Sequence, residues 1–283
     1  MLVSMIIPIY KGEKYMQPLL DMAQANCKRL AEGDSMEVLF VNDYPETPLP
    51  TVIVEQASIP VRILENPQNL GIHGARVEGL KEAKGDYILF LDQDDTITDD
   101  CVASHLQVIG QYDVSVGNGY KMLGDQVKPI YRSPAKQKLA THCKYYLRAA
   151  CQIVSPGHCL IRKEAIPQEW YHQIVTNNGS DDLFLWLLMF GHNASFTVNP
   201  ARVYTHVDTG KNVSSDKMTM IRSSYNVVEL LKQCPQIPAR YARLYNRRIR
   251  FLEALTTGSK LKKLWSCICH FDICLCKLYA YYR

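Results

Sequence analysis

The stretch that decides the fold reads Gly85-Asp86-Tyr87-Ile88-Leu89-Phe90-Leu91-Asp92-Gln93-Asp94-Asp95. Its apolar part, residues 87–91, predicts a short strand that is buried on both faces. Three carboxylates follow within four residues, where that strand would end. Ligands of open α/β sheets bind outside the carboxyl ends of the strands, so this stretch predicts a site as well as a strand.

The carboxylates of Asp92, Asp94 and Asp95 would repel one another at close range and would each lose hydration on burial. A divalent cation relieves both costs, and Mg²⁺ typically binds one or two carboxylates together with substrate phosphates. The alternative is a polar turn without chemistry, because Asp-rich clusters also close loops and residues 96–100 can begin a capped helix. These residues alone leave both interpretations open.

Composition narrows the class of protein. The chain is long enough for one large domain or two modest ones, and its net charge of +4 is too small to indicate a nucleic-acid partner. Residues 1–10 lack the basic start of a signal peptide, and no apolar run is long enough to span a bilayer. We therefore expect a cytoplasmic protein in which the ten cysteines are mostly reduced thiols.

Strand and helix patterns alternate along the first hundred residues. This alternation predicts βαβ units, and hence an α/β fold with a mostly parallel sheet flanked by helices. The strand patterns cover residues 2–9, 37–41, 61–64 and 87–91, and the helical patterns cover 15–30 and 72–84. From residue 114 to 131, strand-like pieces are interrupted by glycines, which predicts broken strands at Gly117, Gly119 and Gly124.

Polar side chains follow three of these strands. Tyr10 comes after the first, Asp43 after the second, and Asp92 and Asp94 after the fourth. Parallel strands end at one edge of a sheet, so we expect these side chains to share a pocket. The first strand leads into Tyr10-Lys11-Gly12-Glu13, which is neither a dinucleotide fingerprint nor a P-loop.

The order of the short motifs is specific. Ile7-Pro8-Ile9-Tyr10, Val41-Asn42-Asp43, Asn69-Leu70-Gly71 and Ala75-Arg76 precede the opening stretch in that order. Together they resemble the nucleotide-sugar-binding half of a family 2 glycosyltransferase, an inverting enzyme with a GT-A (Rossmann-like) fold, of the type that makes bacterial surface polysaccharides. The resemblance implies a metal-dependent enzyme that uses Mn²⁺ or Mg²⁺ and a nucleotide-diphospho-sugar, here expected to be a UDP-sugar.

The resemblance also implies roles for individual residues. Asp94 would be the principal metal ligand, with Asp92 contacting ribose or metal. Asp43 would accept a hydrogen bond from the base, although Asn42-Asp43-Tyr44 departs from the family's usual pair of acids followed by Gly-Ser. The residues implied for the nucleotide-sugar site are Pro8, Tyr10, Asp43, Asn69, Gly71, Arg76, Asp92 and Gln93.

A second acidic pair, Asp181-Asp182, precedes the apolar residues 183–190. Ser or Asp before such a run is ordinary helix punctuation. The family carries Glu-Asp here, and its Asp removes the proton from the acceptor hydroxyl, which is general-base catalysis. On that match Asp182 is the base, and Asp181 in place of Glu leaves open which of the two acts.

Two histidines are weaker candidates. Residues 204–208 and 212–214 resemble the family's segment that closes over the donor, which makes His206 a candidate metal ligand in a mobile lid near Gly210. The alternative is a histidine in a solvent-exposed loop. His158 follows Pro156-Gly157 in the second half, where a lone histidine is more often structural than functional.

The C-terminal residues combine basic and aromatic side chains. Residues 239–255 and 260–283 have helical patterns with this mixture, which is typical of the surface of an anionic membrane. The alternative is packing on the catalytic domain or on a second subunit of a homodimer. The C-x-C spacings of Cys267, Cys269, Cys274 and Cys276 differ from zinc knuckles, so we do not expect zinc.

We therefore expect a GT-A catalytic domain over residues 1–215, with a nucleotide-sugar half (1–100) and an acceptor half (101–215), and a helical C-terminal extension over 216–283. The enzyme would transfer a sugar to a hydroxyl of a glycan or lipid-linked glycan, in the cytoplasm or at the inner face of the plasma membrane. The alternatives are a metal-dependent nucleotidyltransferase and an inactive nucleotide-sugar-binding protein.

Overall fold

The computed structural model describes residues 1–210, 212 and 215–283. Their packing defines two compact units. The first, which we call the sheet unit, consists of Met1–Ile130, Ile153–Ile166 and Ser195–Thr209, and it contains every described strand. The second, the helical unit, consists of Tyr131–Gln152, Pro167–Ala194 and Gly210–Arg283. The units are interleaved along the chain, and the division expected between residues 215 and 216 stays a prediction.

The first half of the sheet is parallel, as predicted. Four strands lie in the order β3-β2-β1-β4 and are joined through helices. The strands are β1 (Leu2–Ile9), β2 (Ser35–Asn42), β3 (Val61–Glu65) and β4 (Tyr87–Phe90), and the helices are α1 (Met16–Cys27), α2 (Val52–Glu55) and α3 (Gly71–Glu82).

Both faces of β1 are buried, which explains its unbroken apolar sequence. Met5 and Ile7 belong to a core that includes Leu20 of α1. Ile6 points the other way, where α3 approaches closely, because a Cβ added to Gly79 would lie 2.4 Å from the Ile6 Cγ2 atom. Helices therefore cover both faces of the strand, as in a doubly wound sheet.

The second half of the sheet is mixed. It continues the order as β8-β6-β9-β5, with β7 paired to β6. Most paired residues of the whole sheet are nevertheless in parallel pairs, which confirms the predicted fold class. The elements are β5 (Thr96–Ile97), α4 (Cys101–Ile109), β6 (Val114–Leu123), β7 (Gln126–Pro129), β8 (Cys159–Arg162) and β9 (Phe196–Asp208).

The prediction that glycines interrupt the strand between residues 114 and 123 is wrong. β6 is continuous, and its pairing with β9 shifts register on either side of Asn118. A Cβ on Gly119 would lie 1.9 Å from the Tyr204 carbonyl oxygen, so the glycine permits a close approach of two strands at an irregularity. Gly124, with φ of 53°, turns the β6–β7 hairpin.

The helical unit is built around α8, whose residues 183–189 are all buried. The predicted helix at 239–255 is confirmed, another helix covers Lys217–Lys232, and the last stretch forms two helices separated at His270. None of the described helices is long and apolar enough to cross a membrane. The helices are α5 (Pro134–Gln137), α6 (Cys143–Arg148), α7 (Gln168–His172), α8 (Asp181–Gly191), α9 (Lys217–Lys232), α10 (Arg240–Thr257), α11 (Lys260–Cys269) and α12 (Phe271–Tyr282).

Candidate functional site

The carboxyl ends of β1, β2 and β4 lie side by side at one edge of the sheet. The Asp43 N–H donates to the Ile9 carbonyl at 2.8 Å, and the Leu91 N–H donates to the Ile6 carbonyl at 3.0 Å. These bonds extend the parallel pairing just beyond the strand ends. The polar residues that follow the three strands therefore meet at this edge, as the sequence predicts.

Asp43 is nearly buried, at 4% exposure, and fastens the end of β2 to the start of α3. Its Oδ1 atom accepts hydrogen bonds from Asn66 Nδ2 at 2.9 Å and from the Leu70 N–H at 2.8 Å. Among the described residues, no hydrogen bond is recorded for its Oδ2 atom. The carboxylate is thus rigidly oriented while one oxygen is able to accept from a ligand N–H.

Tyr10 presents an exposed ring at the same edge, in an edge-to-face pair with Tyr44 whose centroids are 5.4 Å apart. Gln93 holds the Tyr10 backbone from both sides: its Oε1 accepts from the Tyr10 N–H at 2.9 Å, and its Nε2 donates to the Tyr10 carbonyl at 3.2 Å. Gln93 therefore fixes the backbone that carries the exposed Tyr10 ring. Pro8 is buried inside β1, in register with Val41.

Asn69 and Gly71 build the turn into α3. The Asn69 Oδ1 atom accepts from the Gly71 N–H at 2.9 Å, and Gly71 has φ of 73°, a value that favours glycine. Asn69 is exposed, whereas Gly71 is partly buried. Both residues shape the loop beside Asp43, and their contact with a nucleotide stays a prediction.

Asp92 is held by two neighbours. A guanidinium N–H of Arg76, on α3, donates to its Oδ1 atom in an ion pair, and the Ser155 hydroxyl donates to its Oδ2 atom at 3.1 Å. Arg76 is only 3% exposed, so the guanidinium side of this pair is shielded from water, whereas the Asp92 side chain is 22% exposed. Arg76 thus orients Asp92. The Ser155 contact was missed from the sequence, because it joins residues 63 positions apart.

Asp95, the third carboxylate of the stretch, joins the end of β4 to β9. It is 1% exposed and accepts hydrogen bonds from the Val207 N–H at 2.9 Å and from the Tyr204 hydroxyl. His206 Nδ1 lies 3.1 Å from its Oδ1 atom. The hydrogen bond from His206 to Asp95 is the main reason why the pKa of His206 is raised.

His206 lies within β9, so the prediction of a mobile lid at residues 204–208 is wrong for this segment. The strand pairs with β6 as far as Asp208 and holds the imidazole at 16% exposure, which also excludes a solvent-exposed loop histidine. Sequence showed only a polar, Gly-containing neighbourhood, because the pairing partner lies about eighty residues earlier. Of the lid residues proposed beyond it, Val213 and Ser214 lie outside the described residues.

Among the described residues, Asp92 and Asp95 have ion-pair partners in Arg76 and His206, and Asp94 is the carboxylate of this turn without one. Burial, followed by the charges of Asp95 and Asp92, raises its pKa to about 6. The His206 imidazole partly offsets this effect on the pKa of Asp94, so the two groups interact. An uncompensated carboxylate among like charges is a site that a cation would stabilise.

The chemistry of Asp94 and His206 fits a divalent metal. When the His206 ring is neutral and its Nδ1–H is directed at the Asp95 carboxylate, Nε2 carries the lone pair that a metal binds, which is the common arrangement around metal-binding histidines. Asp92 has both oxygens engaged by Arg76 and Ser155. In the described part of the chain, no three His, Cys, Asp or Glu side chains form a ready metal cluster. Substrate phosphates would therefore have to complete the coordination.

The Tyr204 ring, whose hydroxyl donates to Asp95, packs against a second buried ring. His158 is fully buried and stacks on Tyr204 with 5.3 Å between ring centroids. Its Nε2 accepts from the Val154 N–H at 3.1 Å, so Nδ1 carries the proton and donates to the Gly117 carbonyl at 2.9 Å. Burial lowers the His158 pKa to about 4. His158 is thus a neutral structural residue.

Asp181 and Asp182 form the first turn of α8 in the helical unit. Asp181 is 3% exposed, and its carbonyl accepts from Trp170 Nε1 at 3.4 Å. Asp182 is partly exposed, with its Oδ1 atom 2.6 Å from the Leu183 N–H donor. The preceding Ser180 does not cap the helix with its side chain. The acidic pair itself supplies the negative charge that a helix N-terminus favours.

The segment before α8 is fastened to α9. The Ser180 N–H donates to Ser223 Oγ at 3.0 Å, and the Thr176 N–H donates to Asn226 Oδ1 at 2.9 Å. These bonds fix the start of α8 and hence the direction of its acidic pair. A base at this position would therefore be held rigidly.

Comparison with solved structures supports the fold. The chain is similar to Staphylococcus aureus TarS 1–349 in complex with UDP-GlcNAc, with a TM-score of 0.62, 17% identity, and coverage of 96% of this chain and 81% of that chain. At this level of identity the likeness concerns the fold. It confirms the predicted GT-A architecture.

Sequence relatives are also glycosyltransferases. An uncharacterized glycosyltransferase of Haemophilus influenzae is 32% identical over 169 residues, which are 59% of this chain and 46% of the relative. Glycosyltransferase GlyA of Streptococcus pneumoniae is 31% identical over 121 residues, 42% of this chain and 17% of the relative. The matches thus span less than half the length of these relatives. The model of "Glycosyl transferase family 2" matches residues 4–170, more than half of the chain. This protein therefore belongs to glycosyltransferase family 2.

Proposed function

We propose that this protein is an inverting glycosyltransferase that moves a sugar from a UDP-sugar to a hydroxyl of a glycan acceptor in the synthesis of a surface polysaccharide. The observation that carries the proposal is the meeting of Tyr10, Asp43 and Asp92 at the carboxyl edge of β1, β2 and β4 in a chain of this family. The donor side is argued from the sheet unit, and the acceptor side from the helical unit.

The nucleobase is assigned to the edge formed by Tyr10 and Asp43. The exposed Tyr10 ring, paired with Tyr44, offers an aromatic surface on which a base can stack. The oriented Asp43 carboxylate suits the imide N–H of uracil, because that group donates where a carboxylate accepts. UDP-GlcNAc is bound by TarS, which shares the fold, and this supports a uridine nucleotide here.

The diphosphate is assigned to the region of Asp94 and His206. These two residues would hold Mn²⁺ or Mg²⁺, with Asp92 oriented beside them by Arg76. When bound, the cation would offset the negative charge that develops on the leaving diphosphate. Within the chain, Asp95 keeps the His206 ring oriented through Nδ1, and Gln93 keeps Tyr10 in place.

The acceptor hydroxyl is assigned to Asp182, the more exposed member of the acidic pair. Its carboxylate would take the hydroxyl proton while the acceptor oxygen forms a bond to the anomeric carbon. The bond from that carbon to the diphosphate breaks at the same time, and its electron pair leaves with the nucleoside diphosphate. A single displacement inverts the configuration at the anomeric carbon.

Calorimetric titration of UDP and GDP, each with and without Mn²⁺, tests the donor site. We expect UDP to bind, to bind more tightly with Mn²⁺, and to lose only the Mn²⁺ effect in Asp94→Ala. Asp43→Asn should weaken UDP binding both with and without Mn²⁺, since the amide offers a donor where the base needs an acceptor. If neither nucleotide bound under any condition, the assignment of this edge would fail.

The rival activities have different products. A nucleotidyltransferase would form UDP-sugar from UTP and a sugar phosphate and would release pyrophosphate, which a phosphatase-coupled assay detects. An inactive binding protein would bind UDP but release none from any UDP-sugar. We expect UDP release from one UDP-sugar in the presence of an acceptor, and no pyrophosphate from UTP.

A further inference from the structure

Helix α11 carries its apolar side chains away from the protein. Leu261, Leu264, Trp265 and Ile268 recur at the spacing of one helix face, and each is more than half exposed. Ser266, on the opposite side, is the residue of this helix that is buried against the unit. An amphipathic helix of a soluble domain normally turns its apolar face inward, so α11 has the reverse orientation.

Helix α12 repeats this arrangement. Its buried residues are Ile273 and Ala280, on one side. Phe271, Leu275, Leu278 and Tyr282 lie on the other side, and their exposures are between 49% and 77%. Single exposed apolar residues are common on protein surfaces, but two successive helices with contiguous exposed apolar faces mark an interaction surface.

Basic side chains border these faces. Lys260 and Lys262 are exposed and flank the apolar face of α11 on either side, at the angles set by 100° per residue. Residues 260–283 contain five Lys and Arg and one acidic residue, Asp272. Arg247 neutralises that residue in a two-point ion pair, with distances of 2.8 and 2.6 Å.

The apolar face of α12 itself is free of charge. Lys277 turns inward, with its Nζ atom 5.4 Å from the centroid of the Phe251 ring, and burial together with Arg248 lowers its pKa. On α6, Lys144 lies over the ring of Tyr145, which in turn stacks on Tyr279 of α12. The apolar face of α12 is thus bordered by a cation, while its centre remains apolar.

We propose that α11 and α12 dock in the plane of an anionic lipid bilayer, with their apolar faces in the boundary between headgroups and acyl chains. Each helix is about 15–18 Å long, too short to span the hydrocarbon core of about 30 Å, but suited to lie in the interface. Trp265 and the tyrosines are the side chains that prefer this depth, and the bordering lysines meet the lipid phosphates.

Charge favours lipid over a second copy of this chain. An interface between copies related by two-fold symmetry would bring the lysine borders of α11 into like-charged surroundings, whereas anionic headgroups supply the opposite charge. The inference does not depend on the proposed transfer reaction, since it concerns a surface built from side chains that the reaction does not use. A lipid-linked acceptor would, however, be presented at the same membrane.

Flotation of the full chain with vesicles tests the proposal without nucleotide or acceptor. We expect binding to phosphatidylcholine vesicles that contain phosphatidylglycerol, and much weaker binding to phosphatidylcholine alone. Trp265 is 66% exposed whereas Trp170 and Trp186 are at most 1% exposed, so a blue shift of the tryptophan emission on vesicle addition would come from Trp265. Trp265→Phe should keep the binding and lose the shift.

Variants separate the apolar and charge contributions. Leu264→Glu and Ile268→Glu should each lower the partition coefficient about ten-fold, and Lys260→Gln and Lys262→Gln about five-fold each on anionic vesicles alone. Leu123→Glu and Val127→Glu, at exposed positions of the β6–β7 hairpin, add the same charge and should have no effect. All are surface changes, so circular dichroism should be unchanged.

Two outcomes would overturn the proposal. One is a wild-type chain that does not float with anionic vesicles, or that floats equally well after Leu264→Glu and Ile268→Glu together. The other is a lipid-free dimer, measured by light scattering, that becomes a monomer in the same double variant. That result would make the two helix faces an interface between copies of the chain.

Discussion

The turn of residues 92–95 and the first turn of α8 both contain adjacent carboxylates, yet the fold uses them differently. In the turn, Asp92 and Asp95 are engaged by side chains and backbone from other elements, and Asp94 between them is left with a pKa raised to about 6. In α8, the pair lies at a helix start, where Asp181 is buried and Asp182 is partly exposed. Neighbours in sequence therefore differ in role wherever burial and hydrogen bonding differ.

This contrast separates carboxylates that hold the structure from carboxylates available for chemistry. Asp95 accepts from three residues of β9 and is nearly inaccessible. Asp94 and Asp182 keep access to solvent. Substituting each member of the two sets should therefore change different measurements.

Asp182→Asn should lower turnover by about 10²–10⁴-fold, because an amide cannot take the acceptor proton. Donor affinity should not change, and comparing UDP release in the presence of acceptor with calorimetric UDP binding checks both. Asp181→Asn is the matched control, for which we expect a loss of stability and a smaller loss of turnover. The reverse ranking would make Asp181 the base.

Asp95→Asn should lower the free energy of unfolding by about 3 kcal/mol, because it breaks the buried pair with His206 and leaves that imidazole without its carboxylate partner. The amide would also present a donor to groups that already donate, namely the Tyr204 hydroxyl and the Val207 N–H. Urea unfolding measures the change. A variant as stable as the wild type would mean that the bonds between Asp95 and β9 contribute little.

Asp94→Asn should have the opposite effect on stability. At neutral pH, without divalent cations, the wild-type Asp94 is ionised although its raised pKa shows that the fold disfavours the charge. A carboxyl group whose pKa is raised in the folded state lowers stability once the pH rises above the pKa of that group in the unfolded state. Removing the charge should therefore raise the melting temperature. Thermal unfolding in EDTA tests this expectation, and a lower melting temperature would contradict it. Added Mn²⁺ should stabilise the wild type more than the variant.

Glu37 gives a reference for a fully satisfied carboxylate in the sheet unit. Burial opposes its ionisation, but hydrogen bonds from the Ser4 hydroxyl, the Lys84 N–H and Arg62 outweigh burial, and they lower its pKa below 4.5. Stability from this group is present above its unfolded pKa and is lost as the pH falls through the folded pKa. Glu37→Gln should cost about 1 kcal/mol at neutral pH and flatten the acid side of the stability curve.

Denaturant unfolding at several pH values measures this effect. The difference between Glu37→Gln and the wild type should narrow steadily as the pH falls below 4.5. A difference that stays constant across that range would show that lost packing, rather than the carboxylate charge, accounts for the cost.

Much of the site at the carboxyl edge of β1, β2 and β4 was predictable, because the sequence features that form it are local. The apolar runs of β1, β2 and β4 are short and bounded by turn residues, and parallel pairing then brings their ends together. This is why Asp43 and Asp92 could be placed at one edge from the sequence. The family motifs added assignments such as Asp94 and Asp182, whose roles stay predictions.

Residues on β9 could not be placed in this way. His206 and Tyr204 are more than a hundred residues from Asp95 in sequence. The periodicity of side chains along a sequence does not predict hydrogen bonds over that separation. Glycine signals were also misleading in β6, since Gly119 serves the close approach of β9 and does not end the strand. Long-range pairing decides such features, and a single sequence does not contain it.

The sequence by itself determined the α/β class, the order of the first strands and the carboxylates that follow them, because side-chain periodicity and turn chemistry act over a few residues. Only the tertiary structure decided that Asp95 is structural while Asp94 is not, since burial and partners come from distant segments. It also decided that Leu264 and Ile268 face outward: the period of an amphipathic helix shows that it has two faces, and packing chooses which one the protein covers.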